Sequence, residues 1–109
     1  MLPKRRIQRA IDYIHEHLDQ NLSLRQLSPV AGLSPSRFKL LFKEATGLAV
    51  HRYVLRARVD LAVNLITLGR LPLRDITARA GFANQSHMSR CVRQITGKSP
   101  SVIRDGFES

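Results

Sequence analysis

"LSLRQLSPVAGLSPSRFKLLFKEATG", residues 22–47, and "LPLRDITARAGFANQSHMSRCVRQITG", residues 71–97, are one pattern written twice. Leu22, Leu24, Arg25, Ala31, Gly32, Thr46 and Gly47 meet Leu71, Leu73, Arg74, Ala80, Gly81, Thr96 and Gly97. The matching residues lie 49 apart before the turn and 50 apart after it, so the second copy carries one extra turn residue. Repetition at this scale marks a duplicated supersecondary unit. Each copy reads as a short helix, a turn opened by glycine and a second helix, which is the form of a helix-turn-helix.

Local signals delimit the helices. Ser23 to Gln26 has the form of a capping box, and Gly32 stops the helix it opens. Ser34-Pro35 opens the next helix with a cap serine and a proline at the first helical position, and that helix ends near Thr46-Gly47. In the second copy "LPLRDI" begins a helix stopped at Gly81, and Asn84 caps another that ends at Thr96-Gly97. Ser99-Pro100 opens a last one. Upstream, Ile7, Ala10, Ile11, Ile14 and Leu18 recur at three- and four-residue steps, predicting an amphipathic helix from Lys4 to Leu18. No segment reads as a strand. The expectation is an all-α chain of about seven helices. Two helix-turn-helix subdomains, residues 1–49 and 70–109, are joined by a long linker helix over residues 50–69.

That central helix is broadly apolar. Val54, Leu55, Val59, Leu61, Ala62, Val63, Leu65, Ile66 and Leu68 cover well over half its circumference, leaving a strip of Arg56, Asp60, Asn64 and Thr67. Such a helix packs on more than one side. About 19 residues at 1.5 Å rise span roughly 28 Å, near the roughly 34 Å between successive major grooves on one side of DNA. Arg58 falls inside the apolar arc. It reads as a snorkelling side chain or a buried ion-pair partner, a structural residue in either case.

The second helix of each copy is two-faced. In residues 35–46, Phe38, Leu41, Phe42 and Ala45 share one side, and Ser36, Lys39, Leu40 and Lys43 the other. In residues 85–96, Met88, Cys91, Val92 and Ile95 take the inner places, and Ser86, Ser89, Arg90 and Arg93 the outer ones. Reading a DNA major groove requires this arrangement. The groove admits one helix, whose outer face needs small residues for close approach and basic or amide side chains for base edges and phosphates. A single such face is more often just solvated; two matched copies in a strongly basic chain favour DNA. Leu40 is the anomaly: it offers a groove only an apolar contact.

Bulk composition agrees. Eighteen Lys and Arg against eight Asp and Glu give a net charge of +10 over 109 residues. A surface this basic attracts polyanions, nucleic acid first and anionic membrane second. Most of the cations are Arg, whose forked donors suit phosphate and guanine. One Cys permits no internal disulfide, no apolar run approaches the length that crosses a bilayer, and the basic N-terminus lacks the apolar stretch of a signal peptide. A cytoplasmic protein is expected.

Catalytic chemistry is not legible. His87 and Cys91 are four apart, but Cys91 falls on an inner face and reads as a core thiol. His15 and His17 point to different sides of a helix with no third ligand. No phosphate-cradling glycine loop and no paired carboxylates occur, so neither enzyme activity nor a metal or other cofactor is expected.

The segment "AGF…QSHMSRCVRQITGKSP", Ala80 to Pro100, resembles the signature of AraC/XylS-type bacterial transcription activators. So does "AGLS…FKLLFKEATG" with "HRYVLRARVDLAVNLI" after it, and the resemblance runs from about Lys4 to Phe107. It implies binding of double-stranded DNA through two helix-turn-helix units in adjacent major grooves, recruitment of RNA polymerase and activation of transcription. In most members a separate sensing or dimerisation domain precedes this one. It also implies base reading from places matching Ser36, Lys39 and Leu40 in the first copy, and Gln85, Ser86, His87 and Arg90 in the second. Arginine is the common residue at the Arg90 place and is frequent where this chain has Leu40. Arg37, Lys39 and Lys43 are expected to carry the first unit, with Lys43 and Arg93 on phosphates. The rival expectations are a non-specific architectural nucleic-acid binder, and a membrane-surface protein acting through Lys4, Arg5, Arg6 and Arg9.

Overall fold

The computed structural model describes residues 3–106; Phe107, the last residue of the resemblance, lies outside them. Seven helices are present among the described residues, and no strand: α1 (Pro3–Glu16), α2 (Leu24–Ala31), α3 (Pro35–Thr46), α4 (Val50–Leu68), α5 (Leu73–Arg79), α6 (Gln85–Thr96) and α7 (Pro100–Asp105). The chain divides into two compact units, one up to Val54 and one from Leu55 onward. The division falls inside α4, which contributes its first residues to one unit and the rest to the other.

The caps form as the residue types dictate. The Ser34 and Ser99 hydroxyls and the Asn84 side-chain carbonyl accept from the backbone N–H groups of Arg37, Val102 and His87. The expected capping box at Ser23 forms in one direction: its hydroxyl accepts from Gln26 N–H, while its own N–H is taken by Asn21 Oδ1 at 3.1 Å. α1 ends at Glu16, two residues earlier than its apolar pattern. The His17 N–H turns to the Ile14 carbonyl, and His17 Nδ1 donates to the Tyr13 carbonyl that the next helical N–H would have used.

The duplication holds at atomic detail. At the first turn Gly32 N–H donates to Pro29 and Leu33 N–H to Ser28; at the second, Gly81 donates to Ala78 and Phe82 to Thr77. Both glycines are left-handed, at φ +67° and +84°, a conformation that side-chain-bearing residues rarely adopt. Further on, the Thr46 hydroxyl bridges the Phe42 and Leu48 carbonyls, and the Thr96 hydroxyl bridges those of Val92 and Lys98.

Burial extends the repeat beyond what the residue pattern reveals. Ile7, Ala10 and Ile14 of α1 and Val59, Ala62 and Ile66 of α4 are all buried and lie a constant 52 apart. The second half of α4 therefore does for the second unit what α1 does for the first. In the first unit α1 packs on α2 and α3 over Leu27, Ala31, Phe38 and Phe42. In the second, the α4 triplet joins Ile76, Ala80, Phe82, Met88, Cys91 and Val92 in one core. Two apolar assignments need correction. Ala45 is exposed, because only Phe38 and Phe42 are fully covered on α3, and Leu41 and Ala45 open onto a shallow groove with Lys4, Ile7 and Glu44. Leu68 is 65% exposed, since the last turn of α4 runs past the core.

Arg104 on α7 donates to the Leu71 carbonyl, just beyond the end of α4, at 2.7 Å and to the Ile66 carbonyl, in the last turn of α4, at 3.5 Å. A charged donor on such carbonyls contributes about 1.5–3 kcal/mol. Arg104→Ala is expected to lower stability by about that amount in urea unfolding followed by circular dichroism.

Candidate nucleic-acid interface

α3 and α6 are hung on their cores by narrow apolar stripes. Phe38 and Phe42 are completely buried in α3, their rings 5.5 Å apart, and Phe42 meets the Tyr53 ring edge-on. Tyr53 in turn shares a hydrogen bond of 2.8 Å with His15 of α1. In α6 the buried stripe is Met88, Cys91 and Val92. Cys91 is thus a core thiol, as its inner position implied. The buried hydroxyls Ser28 and Thr77 stand at matched places under the two turns, and Thr77 donates to the Leu73 carbonyl.

Opposite those stripes lie the side chains expected to meet DNA. Ser36, Arg37, Lys39, Leu40 and Lys43 of α3 are all exposed, as are Gln85, Ser86, Arg90 and Arg93 of α6. Two expected readers are less free. Ser89 is half-buried, and half-buried His87 sets its ring edge-on to Phe82 with centroids 5.5 Å apart. His87 therefore belongs partly to the turn. The extra residue of the second turn, Ala83, is exposed between Phe82 and the Asn84 cap.

The N-terminal cations are not equivalent. Lys4, Arg5 and Arg9 are exposed, but Arg6 donates to the Gly32 carbonyl at 2.7 Å. It ties α1 to the helix-turn-helix turn. Arg58 is its counterpart at the constant step of 52, half-buried, with burial pushing its guanidinium below the ordinary arginine value. Arginine stays charged at any working pH despite such a shift. The role of Arg6 escapes sequence reading because the repeat registers of the preceding helices and of the turns differ, hiding its relation to Arg58. The expected polar strip of α4 is exposed throughout: Arg56, Asp60, Asn64 and Thr67.

No group of three or more His, Cys, Asp or Glu that could hold a metal is found among the described residues, and none of their helices is long and apolar enough to cross a membrane.

Comparison with known proteins gives a consistent result. The family described as a helix-turn-helix domain matches residues 27–106. The chain is similar to a probable transcriptional regulator, LumQ, of Photobacterium leiognathi, at 42% identity over 90 residues, covering 83% of this chain and 36% of LumQ. It is 34% identical over 104 residues to the arabinose operon regulatory protein of Escherichia coli, covering 94% of this chain and 36% of that protein. The chain thus spans about a third of the length of these curated relatives. Its fold matches the DNA-binding domain of AdpA, a global transcriptional factor solved in complex with a target DNA, at a TM-score of 0.88 and 22% identity, covering 94% of this chain and 92% of that one.

Proposed function

Because the chain belongs to the AraC-type helix-turn-helix family of DNA-binding domains of transcriptional regulators, we propose that α3 and α6 are its two reading helices. Each enters a stretch of major groove of one double-stranded site, the two stretches lying in adjacent grooves. One observation carries this reading: both copies bury the inner stripe of a capped helix and expose a small-polar and basic outer face, Ser36, Lys39 and Lys43 in one and Ser86, Arg90 and Arg93 in the other. A helix held in this way offers base edges a rigid row of side chains. Polar readout is concentrated in the second unit, with Gln85, Ser86 and Arg90 on bases, half-buried His87 at the edge of that set and Ser89 beside it. The first unit leans on Arg37, Lys39 and Lys43, with Ser36 allowing close approach.

Nuclease footprinting of the chain on DNA selected from a random pool tests this. Protection of a defined site about two helical turns long is expected. Uniform coating of any duplex would overturn it in favour of an architectural nucleic-acid binder. Lys43 and Arg93, matched at the far ends of the two faces, contact phosphates. Replacing either with alanine is expected to weaken binding on all sequences alike and to reduce the salt slope of the binding constant by about 1.

The remaining parts of the reading concern the whole regulator. It works in the bacterial cytoplasm on the nucleoid and activates transcription by recruiting RNA polymerase. A separate N-terminal sensing or dimerisation domain accompanies this one. The relatives' names support transcription regulation, one of them, Btr of Bacillus subtilis, being called an activator, and their greater length supports a further domain.

A further inference from the structure

Leu40 stands where its counterpart in the other copy is Arg90, at the centre of the outer face of α3. It is 56% exposed, and Ser36, Lys39 and Lys43 around it are exposed too. The core has no claim on it, since Phe38 and Phe42 already fill the inner stripe. A leucine neither donates nor accepts a hydrogen bond. In the major groove of ordinary duplex DNA the apolar group on offer is the thymine C5-methyl.

Building on the DNA-binding reading above, we propose that Leu40 makes α3 a thymine reader. The stretch of site facing the first unit carries a thymine whose 5-methyl group packs against the Leu40 side chain. Lys39 and Lys43 on either side anchor the helix on phosphates and hold that contact in register. The stretch facing the second unit is read by hydrogen bonds through Arg90. The two stretches therefore differ in base chemistry, although the protein units that read them are copies of one another.

The test uses the intact chain and a duplex selected from random sequence, in which each thymine is replaced in turn by deoxyuridine. That exchange removes the methyl and leaves every base-pair hydrogen bond in place. At one thymine the wild type is expected to lose roughly fourfold in affinity, which corresponds to about 0.8 kcal/mol per buried CH₂. Leu40→Ala should bind the thymine duplex with a similar loss and be indifferent to the exchange at that position. Leu40→Arg should move the preference there from thymine to guanine. Both variants change an exposed side chain, and circular dichroism checks that they fold. If a defined site is bound but no exchange separates the wild type from Leu40→Ala, the thymine contact is refuted and the DNA-binding reading stands. If no defined site can be selected, the DNA-binding reading fails, and this inference with it.

Discussion

Arg90→Ala is expected to weaken binding to a selected site by about 1–3 kcal/mol and to relax base preference at one position. Arg90 is exposed at the middle of the outer face of α6, with Ser86 one turn before it and Arg93 nearly one turn after. Its forked guanidinium suits the paired acceptors of a guanine edge, so one pair of hydrogen bonds at one base is what alanine removes. The fold should be unaffected, because Met88 and Val92 hold the other side of the helix. Titrations on cognate and random duplexes check the assignment. A loss confined to the cognate site identifies a base contact, whereas an equal loss on both would make Arg90 a phosphate contact.

Phe42→Ala should produce the largest loss of stability, about 3–5 kcal/mol. Phe42 is fully buried and links Phe38 to Tyr53, so truncation opens a cavity between α3 and the start of α4. Small domains have about 5–15 kcal/mol in total, and the loss takes a large share of it. The measurement can be made local. The chain has no Trp, and its two tyrosines, Tyr13 and Tyr53, both lie in the first unit. Tyrosine fluorescence during urea unfolding therefore reports that unit. A midpoint unchanged from wild type would show that α3 does not depend on this stripe. The equivalent Val92→Ala in the second unit should cost less, because valine loses fewer buried atoms.

Most of what places the outer faces of α3 and α6 was legible in the sequence. Caps, glycine stops and three- to four-residue periodicity act within a turn or two, and such signals placed α3 and α6 and turned Ser36, Lys39, Lys43, Ser86, Arg90 and Arg93 outward. Errors arose where burial depends on what covers a face. Ala45 and Leu68 sit on apolar arcs, but nothing covers the flank of α3 at Ala45 or the final residue of α4. Periodicity reports the direction of a side chain and not the presence of a neighbour.

The sequence by itself determined the duplication, the helical class, the helix starts and stops and the polar character of the outer faces of α3 and α6, because each is written in adjacent residues. Tertiary structure decided the rest. It made α1 and the second half of α4 equivalent parts of the two units, because burial picks out the same spaced triplet in each. It drew Arg6 out of the basic N-terminal cluster to the Gly32 carbonyl, because folding lays α1 beside the first turn. It also half-buried His87 against Phe82 while leaving Leu40 exposed. These outcomes depend on residues far apart in the chain coming into contact, and no local pattern specifies such contacts.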